Sequence, residues 1–245
     1  MEILKVEGIV IGDTNYSESS KILKILTQEK GIISAMSKGC RNLKSKLRGV
    51  SAPFSYGTFH LYYKSEGISI LVGVDIKNSF HNIMTDIEKI SYATYLLDLT
   101  EQVHKNSNEG TIFSLLISTL EKIEEGYDIS ILTSILELKL LNFLGIRPVI
   151  DGCSICGNDK KIVTIDPTNG GYICQECYHN QKIYNAKTIQ LIRMFYYVDI
   201  SKITKLEVKS EIKQEINEFI EEYYDRYSGL YLKSKSFLKN LSKIG

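Results

Sequence analysis

Four cysteines have the residue type and the spacing of a metal site. They are Cys153, Cys156, Cys174 and Cys177, in the pattern C-x2-C-x17-C-x2-C. Each C-x2-C turn can direct two thiolates at one tetrahedral ion, and the stretch between the turns is long enough to return the chain to the same point. The spacing therefore predicts one Zn²⁺ ion. Four thiolates leave no coordination position for a water, so we expect this zinc to be structural rather than catalytic.

A second candidate site is a basic run between two predicted strands. Residues 38–48, called the basic loop below, contain no acidic residue and five basic ones: Lys38, Arg41, Lys44, Lys46 and Arg48. Cations that neutralise phosphates release the counterions condensed on a nucleic acid, so such a loop can bind DNA or RNA. The alternative is an ordinary solvated loop. Beside a barrel of a type that binds oligonucleotides, we favour the nucleic-acid interpretation.

Aromatic residues follow the basic loop on the next predicted strand. Strand alternation places Phe59, Leu61 and Tyr63 on one face and Tyr56, His60 and Tyr62 on the other. One face must pack in the core, and the other can stack on bases. The sequence leaves open which face is exposed.

The sequence contains none of the common catalytic motifs, such as G-x-x-x-x-G-K-S/T, G-x-G-x-x-G, H-E-x-x-H or G-x-S-x-G. Four acidic residues, Glu121, Glu124, Glu125 and Asp128, belong to one helix end and the loop after it. A two-metal nuclease needs carboxylates that converge on an ion pair, and this arrangement does not predict one. We expect a protein that is not an enzyme.

Composition is that of a globular protein, with 43% hydrophobic and 24% charged residues in 245. No apolar run is long enough to cross a membrane, and the first residues do not resemble a secretory signal. We therefore expect a cytoplasmic, nucleoid-associated protein, whose reducing surroundings favour metal over disulfides. The fifth cysteine, Cys40, is expected to be an unpaired thiol.

The elements that must position these residues change along the chain. Strand-like runs occupy the first 80 residues: 6–11, 21–27, 31–37, 54–64 and 68–76. In the last run, Ile70, Val72 and Val74 recur with a period of two, as is typical of a strand. Five strands without a convincing helix predict an OB-type barrel.

Helical periodicity follows, and it predicts a bundle into which the four-cysteine module is inserted. Thr85 and Glu88 form an apparent capping box, followed by a helix that buries Ile87 among other residues. Two further helices precede the cysteines, and two follow them. The predicted class is an α+β multidomain protein with four segments: the barrel at 1–80, helices at 81–150, the zinc module at 151–180 and helices at 181–245.

Short motifs recur in a fixed order along the chain. They are Gly8–Ile11 with Tyr16-x-Glu18, Thr27-x-x-x-Gly31, Lys38-Gly39-x-Arg41, Pro53-Phe54, Ser91–Leu97, Leu141-x-x-Leu-Gly-x-x-Pro148, Cys153-x-x-Cys156, Gly170-Gly-Tyr-x-Cys174 and Leu232-Lys-Ser-x-x-Phe-Leu238. Their order and spacing resemble the bacterial recombination mediator family RecO, over nearly the whole length.

The resemblance implies an OB domain, a helical domain and a zinc module. It also implies binding of single- and double-stranded DNA, annealing of complementary strands, and help in loading RecA onto DNA coated with single-stranded DNA-binding protein (SSB). RecR and SSB are the implied protein partners, and the five cations of the basic loop match the family's DNA-binding region. The alternative is a zinc-stabilised module that docks proteins and does not bind DNA. The stretch 229–239, which mixes lysines with apolar residues, is either a docking edge or a second phosphate-binding patch.

Overall fold

The computed structural model describes residues 3–105, 110–204, 207–231, 234 and 238. The chain divides into two compact units, residues 1–120 and 121–245. The class is α+β, as predicted, with a five-stranded N-terminal sheet and helices in the C-terminal part. The division into four functional segments stays a prediction.

Five strands form the sheet of the first unit. They are β1 (Ile3–Asn15), β2 (Lys21–Thr27), β3 (Gly31–Ser37), β4 (Tyr56–Tyr62) and β5 (Ser69–Asn78). Pairing runs in the order β1-β2-β3-β5-β4 and returns from β4 to β1, which closes the sheet into a barrel. All neighbours are antiparallel except β3 and β5, which are parallel. Strands β2 and β3 form one hairpin, and β4 and β5 form another.

The barrel interior is filled by apolar side chains from all five strands. Its buried members are Val6, Val10, Leu23, Ile25, Ile33, Ala35, Phe59, Leu61 and Leu71. Strands approach most closely at Gly57, where an added Cβ would lie 2.2 Å from the carbonyl oxygen of Asp75. Glycine is required there because no side chain fits between β4 and β5.

The periodicity of β5 does not correspond to a single face of the barrel. The register between β4 and β5 shifts from the pair His60–Gly73 to the pair Leu61–Leu71, so one residue of β5 is unpaired. Leu71 is buried as a result, whereas Val72 is exposed. A β-bulge reverses the alternation that follows it, and a pattern that ignores the bulge assigns the wrong face.

Three helices follow the barrel: α1 (His81–Met84), α2 (Ile87–His104) and α3 (Thr111–Glu124). The predicted capping box is wrong. Asp86 caps α2, and its carboxylate accepts the N–H groups of Glu88 and Lys89, while the Thr85 hydroxyl donates to the carbonyl of His81 at 2.9 Å. Ile87 is 71% exposed, because the helix begins one residue later than the box requires and its first turn projects from the core.

The second unit contains helices and a small sheet. Its helices are α4 (Ile129–Phe143), α5 (Ala186–Tyr197) and α6 (Ser210–Tyr227), with a 3-10 turn at Ile200–Lys202. They pack together, and the hydroxyl of Tyr224 on α6 donates to the carbonyl of Glu137 on α4 at 2.9 Å. Between α4 and α5 lie β6 (Val149–Cys153), β7 (Ile162–Asp166) and β8 (Gly171–Cys174), in the order β6-β8-β7.

Among the described residues, no helix combines the length and the apolar character that a bilayer-spanning segment requires.

Candidate metal centre and basic surface

The four predicted ligands meet at one point of the second unit. The Sγ atoms of Cys153, Cys156, Cys174 and Cys177 all lie within 4.8 Å of one another, and the Sγ atoms of Cys156 and Cys174 are 3.6 Å apart. A tetrahedral ion with metal–sulfur bonds of about 2.3 Å separates its ligands by about 3.8 Å. The cluster therefore has the ligand number, ligand type and size of a four-thiolate metal site.

The first pair of cysteines is held by a tight turn at the end of β6. The N–H of Gly157 donates to the carbonyl of Cys153 at 2.8 Å, and the N–H of Cys153 donates to the carbonyl of Asn158 at 2.8 Å. Gly157 has φ +78°, a conformation that favours glycine. These backbone hydrogen bonds hold the turn that brings Cys153 and Cys156 together.

Backbone N–H groups also make one thiolate more stable than its neighbours. Burial raises the pKa of Cys153, but hydrogen bonds from the backbone of Cys174 and Cys156 favour the thiolate and lower the pKa to about 6. At Cys177, the hydrogen bond with the side chain of Cys156 has the opposite effect and raises the pKa to about 12. Four thiolates this close together repel one another. A divalent cation bound between them offsets that repulsion.

The metal centre is joined to the helices of its own unit. On β8, two residues before Cys174, the buried hydroxyl of Tyr172 donates to the carbonyl of Ile189 on α5 at 2.7 Å. On β7, the hydroxyl of Thr164 donates to the carbonyl of Lys182 at 2.6 Å. The ligands therefore sit on a sheet that is fastened to the bundle rather than on a free loop.

A groove of about 710 Å³ lies beside α5 in this unit, lined by residues that include Ile162, Tyr172 and Met194. Arg193 also lines the groove, and its positive charge is already paired, because its guanidinium donates to Asp151 at 2.9 Å. The hydroxyl of Tyr197 also donates to Asp151, and both contacts lower the pKa of that carboxyl. The groove is consequently close to neutral, and it offers no free cation to a phosphate.

The basic loop leaves the barrel after β3 and forms a run of turns. The N–H of Asn42 donates to the carbonyl of Gly39 at 3.1 Å, and the N–H of Ser45 donates to that of Asn42 at 3.0 Å. Cys40 is buried, and Leu47 packs against the barrel core. These two apolar anchors direct the residues between and beside them outward.

All five predicted DNA-binding cations are exposed: Lys38, Arg41, Lys44, Lys46 and Arg48. None of them belongs to an ion pair within the part of the chain that the structure describes. By contrast, Lys21 and Lys24 on the adjacent strand are paired with Asp13 and Glu101. The loop thus offers five exposed cations that are unpaired among the described residues, whereas these two lysines of β2 are neutralised by carboxylates.

The basic loop is fastened to the turn between β1 and β2, a link that the sequence did not reveal. The guanidinium of Arg41 donates to the carbonyl of Ser17 at 2.9 Å, and the N–H of Arg41 donates to that of Ser19 at 3.0 Å. The N–H of Gly39 donates to the hydroxyl of Ser20 at 3.1 Å. The exposed Tyr16 of this turn is therefore a neighbour of the basic loop, although 25 positions separate it from Arg41.

The aromatic residues of β4 divide between the two faces of the strand. Phe59 and Leu61 are fully buried inside the barrel. Tyr56 is on the outer face, yet it is also buried, because its ring packs against Phe80 and Phe113 with centroids 6.2 Å and 6.3 Å away. Only Tyr62 and Tyr63 of this predicted set expose large aromatic area.

The acidic residues near the end of α3 have local partners. Glu125 pairs with Lys122 at 2.8 Å. Asp128 caps α4 by accepting the N–H of Ile131 at 3.1 Å, and it also pairs with Lys213. Among the described residues, the four cysteines are the one group of three or more His, Cys, Asp or Glu side chains that could hold a metal ion. In the stretch 229–239, residues 232, 233, 235–237 and 239 lie outside the described residues, so its role stays a prediction.

Two family models match consecutive parts of the chain. Residues 1–80 match the family model described as recombination protein O N terminal, and residues 84–236 match recombination protein O C terminal. A protein of Bacillus pumilus named DNA repair protein RecO is 35% identical over 99% of this chain and 96% of its own length. Proteins of the same name from Halalkalibacterium halodurans and Listeria monocytogenes serotype 4b are also 35% identical, over 98% of this chain and 96% and 95% of their lengths.

The relatives named above are DNA repair proteins. Within that class, the two family models cover nearly the whole chain. The chain belongs to the RecO family.

Proposed function

We propose that this protein is a non-enzymatic DNA-binding mediator of recombinational repair. It binds single- and double-stranded DNA, anneals complementary strands, and assists RecA loading on SSB-coated DNA together with RecR. The observation that carries the proposal is the group of five exposed cations on one loop of the barrel, which have no ion-pair partner among the residues that the structure describes. Membership of a family of DNA repair proteins supports it.

In this proposal the barrel is of the OB type. Its support is the strand order, with closure between β1 and β4 and one parallel pair, β3 with β5. Barrels of this type bind nucleic acid through strand faces and loops. The basic loop holds phosphates electrostatically, so binding has little sequence preference and weakens as salt rises.

Annealing by this mechanism needs no covalent chemistry. Two complementary strands repel each other because both backbones are anionic. Lys38, Arg41, Lys44, Lys46 and Arg48 lower that repulsion where the strands meet, and base pairing then completes the reaction. The protein supplies a surface on which encounters last longer, and it is released or retained according to the ionic strength.

The metal of the proposal is one structural Zn²⁺ per chain, held by Cys153, Cys156, Cys174 and Cys177. Thiolate ligands and a tetrahedral arrangement favour zinc among the common divalent ions. Bound there, zinc supplies folding stability to the sheet β6-β8-β7 and leaves no open position for a substrate. The protein is proposed to act in the cytoplasm, in association with the nucleoid, with RecR and SSB as partners.

Strand annealing is the assay that tests the proposal. Complementary oligonucleotides labelled with a donor and an acceptor dye are mixed with the full-length protein, with and without SSB. We expect faster annealing than the spontaneous reaction in both conditions, and no shortening of the labelled strands in the presence of magnesium. Absence of DNA binding at low salt would instead leave the protein-docking module as the function, and shortened strands would indicate a nuclease.

A further inference from the structure

An exposed tyrosine stands beside the cations of the basic loop. Tyr16 lies in the turn between β1 and β2 and is 59% exposed. A tyrosine combines an apolar ring with a polar hydroxyl, which suits it to an interface. Three hydrogen bonds from Gly39 and Arg41 hold this turn against the basic loop, so Tyr16 and the cations share one end of the barrel.

Tyr16 is the most exposed aromatic residue of the barrel among the described residues. Tyr56 and Phe59 are buried, and Tyr62 and Tyr63 are 36% and 38% exposed. Tyr62 pairs with Ile70 of β5, which pairs with Met36 near the end of β3, so Tyr62 also lies at the end of the barrel from which the basic loop leaves. Tyr16 differs from it in its greater exposure and in the three hydrogen bonds that join its turn to the basic loop.

We propose that Tyr16 stacks on an unpaired base while the basic loop holds the flanking phosphates, so that this end of the barrel recognises single-stranded DNA. The inference rests on the proposed DNA-binding function. An aromatic ring can stack on any base, because every base has a π-face, but a base inside a duplex is already stacked on its neighbours. The cations act on both forms of DNA, and the ring acts on the single strand only.

The charges of the turn fit this division. Glu18 is exposed in the same turn. Its carboxylate repels phosphate, which places the DNA backbone over the basic loop and leaves the turn to a base. The guanidinium of Arg41 donates to the Ser17 carbonyl, so one cation lies directly between the two parts of the surface.

The test compares Tyr16→Ala, Tyr16→Phe and Tyr63→Ala, which removes a less exposed tyrosine of the same barrel, in the full-length protein. Binding is measured by fluorescence anisotropy on an oligothymidylate and on a duplex of equal length. Loss of one stacked base lowers affinity by about 5- to 150-fold. We expect that loss for Tyr16→Ala on the single strand alone, with an unchanged salt dependence. Tyr16→Phe and Tyr63→Ala are expected to bind like the wild type.

A second readout reports stacking directly. 2-Aminopurine placed in the single strand loses fluorescence when an aromatic ring stacks on it, so the wild type and Tyr16→Phe should quench it and Tyr16→Ala should not. Equal single-strand affinity of Tyr16→Ala and the wild type would overturn the inference, as would an equal loss on single strand and duplex, which would mean that Tyr16 acts by holding the loop. Wild-type protein that binds neither DNA at low salt would overturn the proposed function itself.

Discussion

Removal of one cysteine ligand should unfold the sheet that carries the metal centre. A comparison of two ligands separates the effect of losing a thiolate from the effect of burying a hydroxyl. Cys156 is exposed, whereas Cys174 is 1% exposed at the end of the middle strand, β8. Both Cys156→Ser and Cys174→Ser remove a thiolate. Only Cys174→Ser also buries a hydroxyl, which costs about 1–3 kcal/mol if it has no partner.

The expected magnitudes follow from the coupling of metal binding to folding. Structural zinc supplies apparent binding free energies of about 10–16 kcal/mol in small domains. This contribution exceeds the stability that we expect the sheet β6-β8-β7 to have without the ion. We expect metal content to fall well below one ion per chain in both variants. The fraction of molecules that keep the sheet folded and the metal bound should be lower for Cys174→Ser, because folding there also costs about 1–3 kcal/mol for the buried hydroxyl.

Cys40→Ser is the matched control, because Cys40 is also buried, at 3% exposure, and belongs to the barrel unit. Metal content is measured by mass spectrometry on protein purified under reducing conditions, and hydrogen exchange locates the unfolded segment. Exchange should rise in residues 149–174 of both ligand variants and not in those of Cys40→Ser. Full metal content in Cys156→Ser, or equal metal loss in Cys40→Ser, would refute the assignment of the site.

Three further predictions concern the framework. Gly57→Ala should destabilise the barrel by about 1–3 kcal/mol or more, because its Cβ meets a backbone oxygen at 2.2 Å, whereas Gly12→Ala, with open space around its Cβ, should be nearly neutral in urea unfolding. Asp86→Ala should cost about 1 kcal/mol as the loss of a helix cap, and Thr85→Ala less; equal thermal shifts would contradict the capping assignment. Burial raises the pKa of Tyr172 to about 12, above its ordinary value near 10, so the unfolded chain loses this proton first and stability falls as the pH rises from 10 to 12. Two pKa units bound that loss at about 2.7 kcal/mol, which partial access of water reduces, and Tyr172→Phe should unfold with a shallower alkaline slope than the wild type.

The barrel strands could be predicted because their signals are local. Strands β2 and β3 have the predicted bounds, since a period of two on each side of a short turn defines both the strands and the hairpin. The four-cysteine site could also be predicted from the sequence, because the geometry of one ion sets the spacing of its ligands. In these segments, a few neighbouring residues contain all the information.

Features that depend on distant residues could not be predicted in this way. The burial of Tyr56 depends on Phe80 and Phe113, which lie far along the chain. The link between Tyr16 and the basic loop depends on hydrogen bonds from Arg41 and Gly39 to another turn. The strands β6, β7 and β8 are only four or five residues long, and the cysteine spacing dominates their sequence, so no periodicity marks them.

The central claim is that the basic loop binds DNA phosphates, and the salt dependence of binding tests it most directly. The variant Lys44→Ala/Lys46→Ala/Arg48→Ala is compared with Lys5→Ala/Lys30→Ala/Lys64→Ala, which removes the same charge from exposed barrel lysines without ion-pair partners among the described residues. The measured quantity is the slope of log affinity against log salt concentration on an oligothymidylate.

Each single-strand phosphate contact contributes about 0.7 to that slope, so loss of three contacts should reduce its magnitude by about 2 in the loop variant. The control variant should keep the wild-type slope. An unchanged slope in the loop variant, or an equal reduction in the control, would contradict the account.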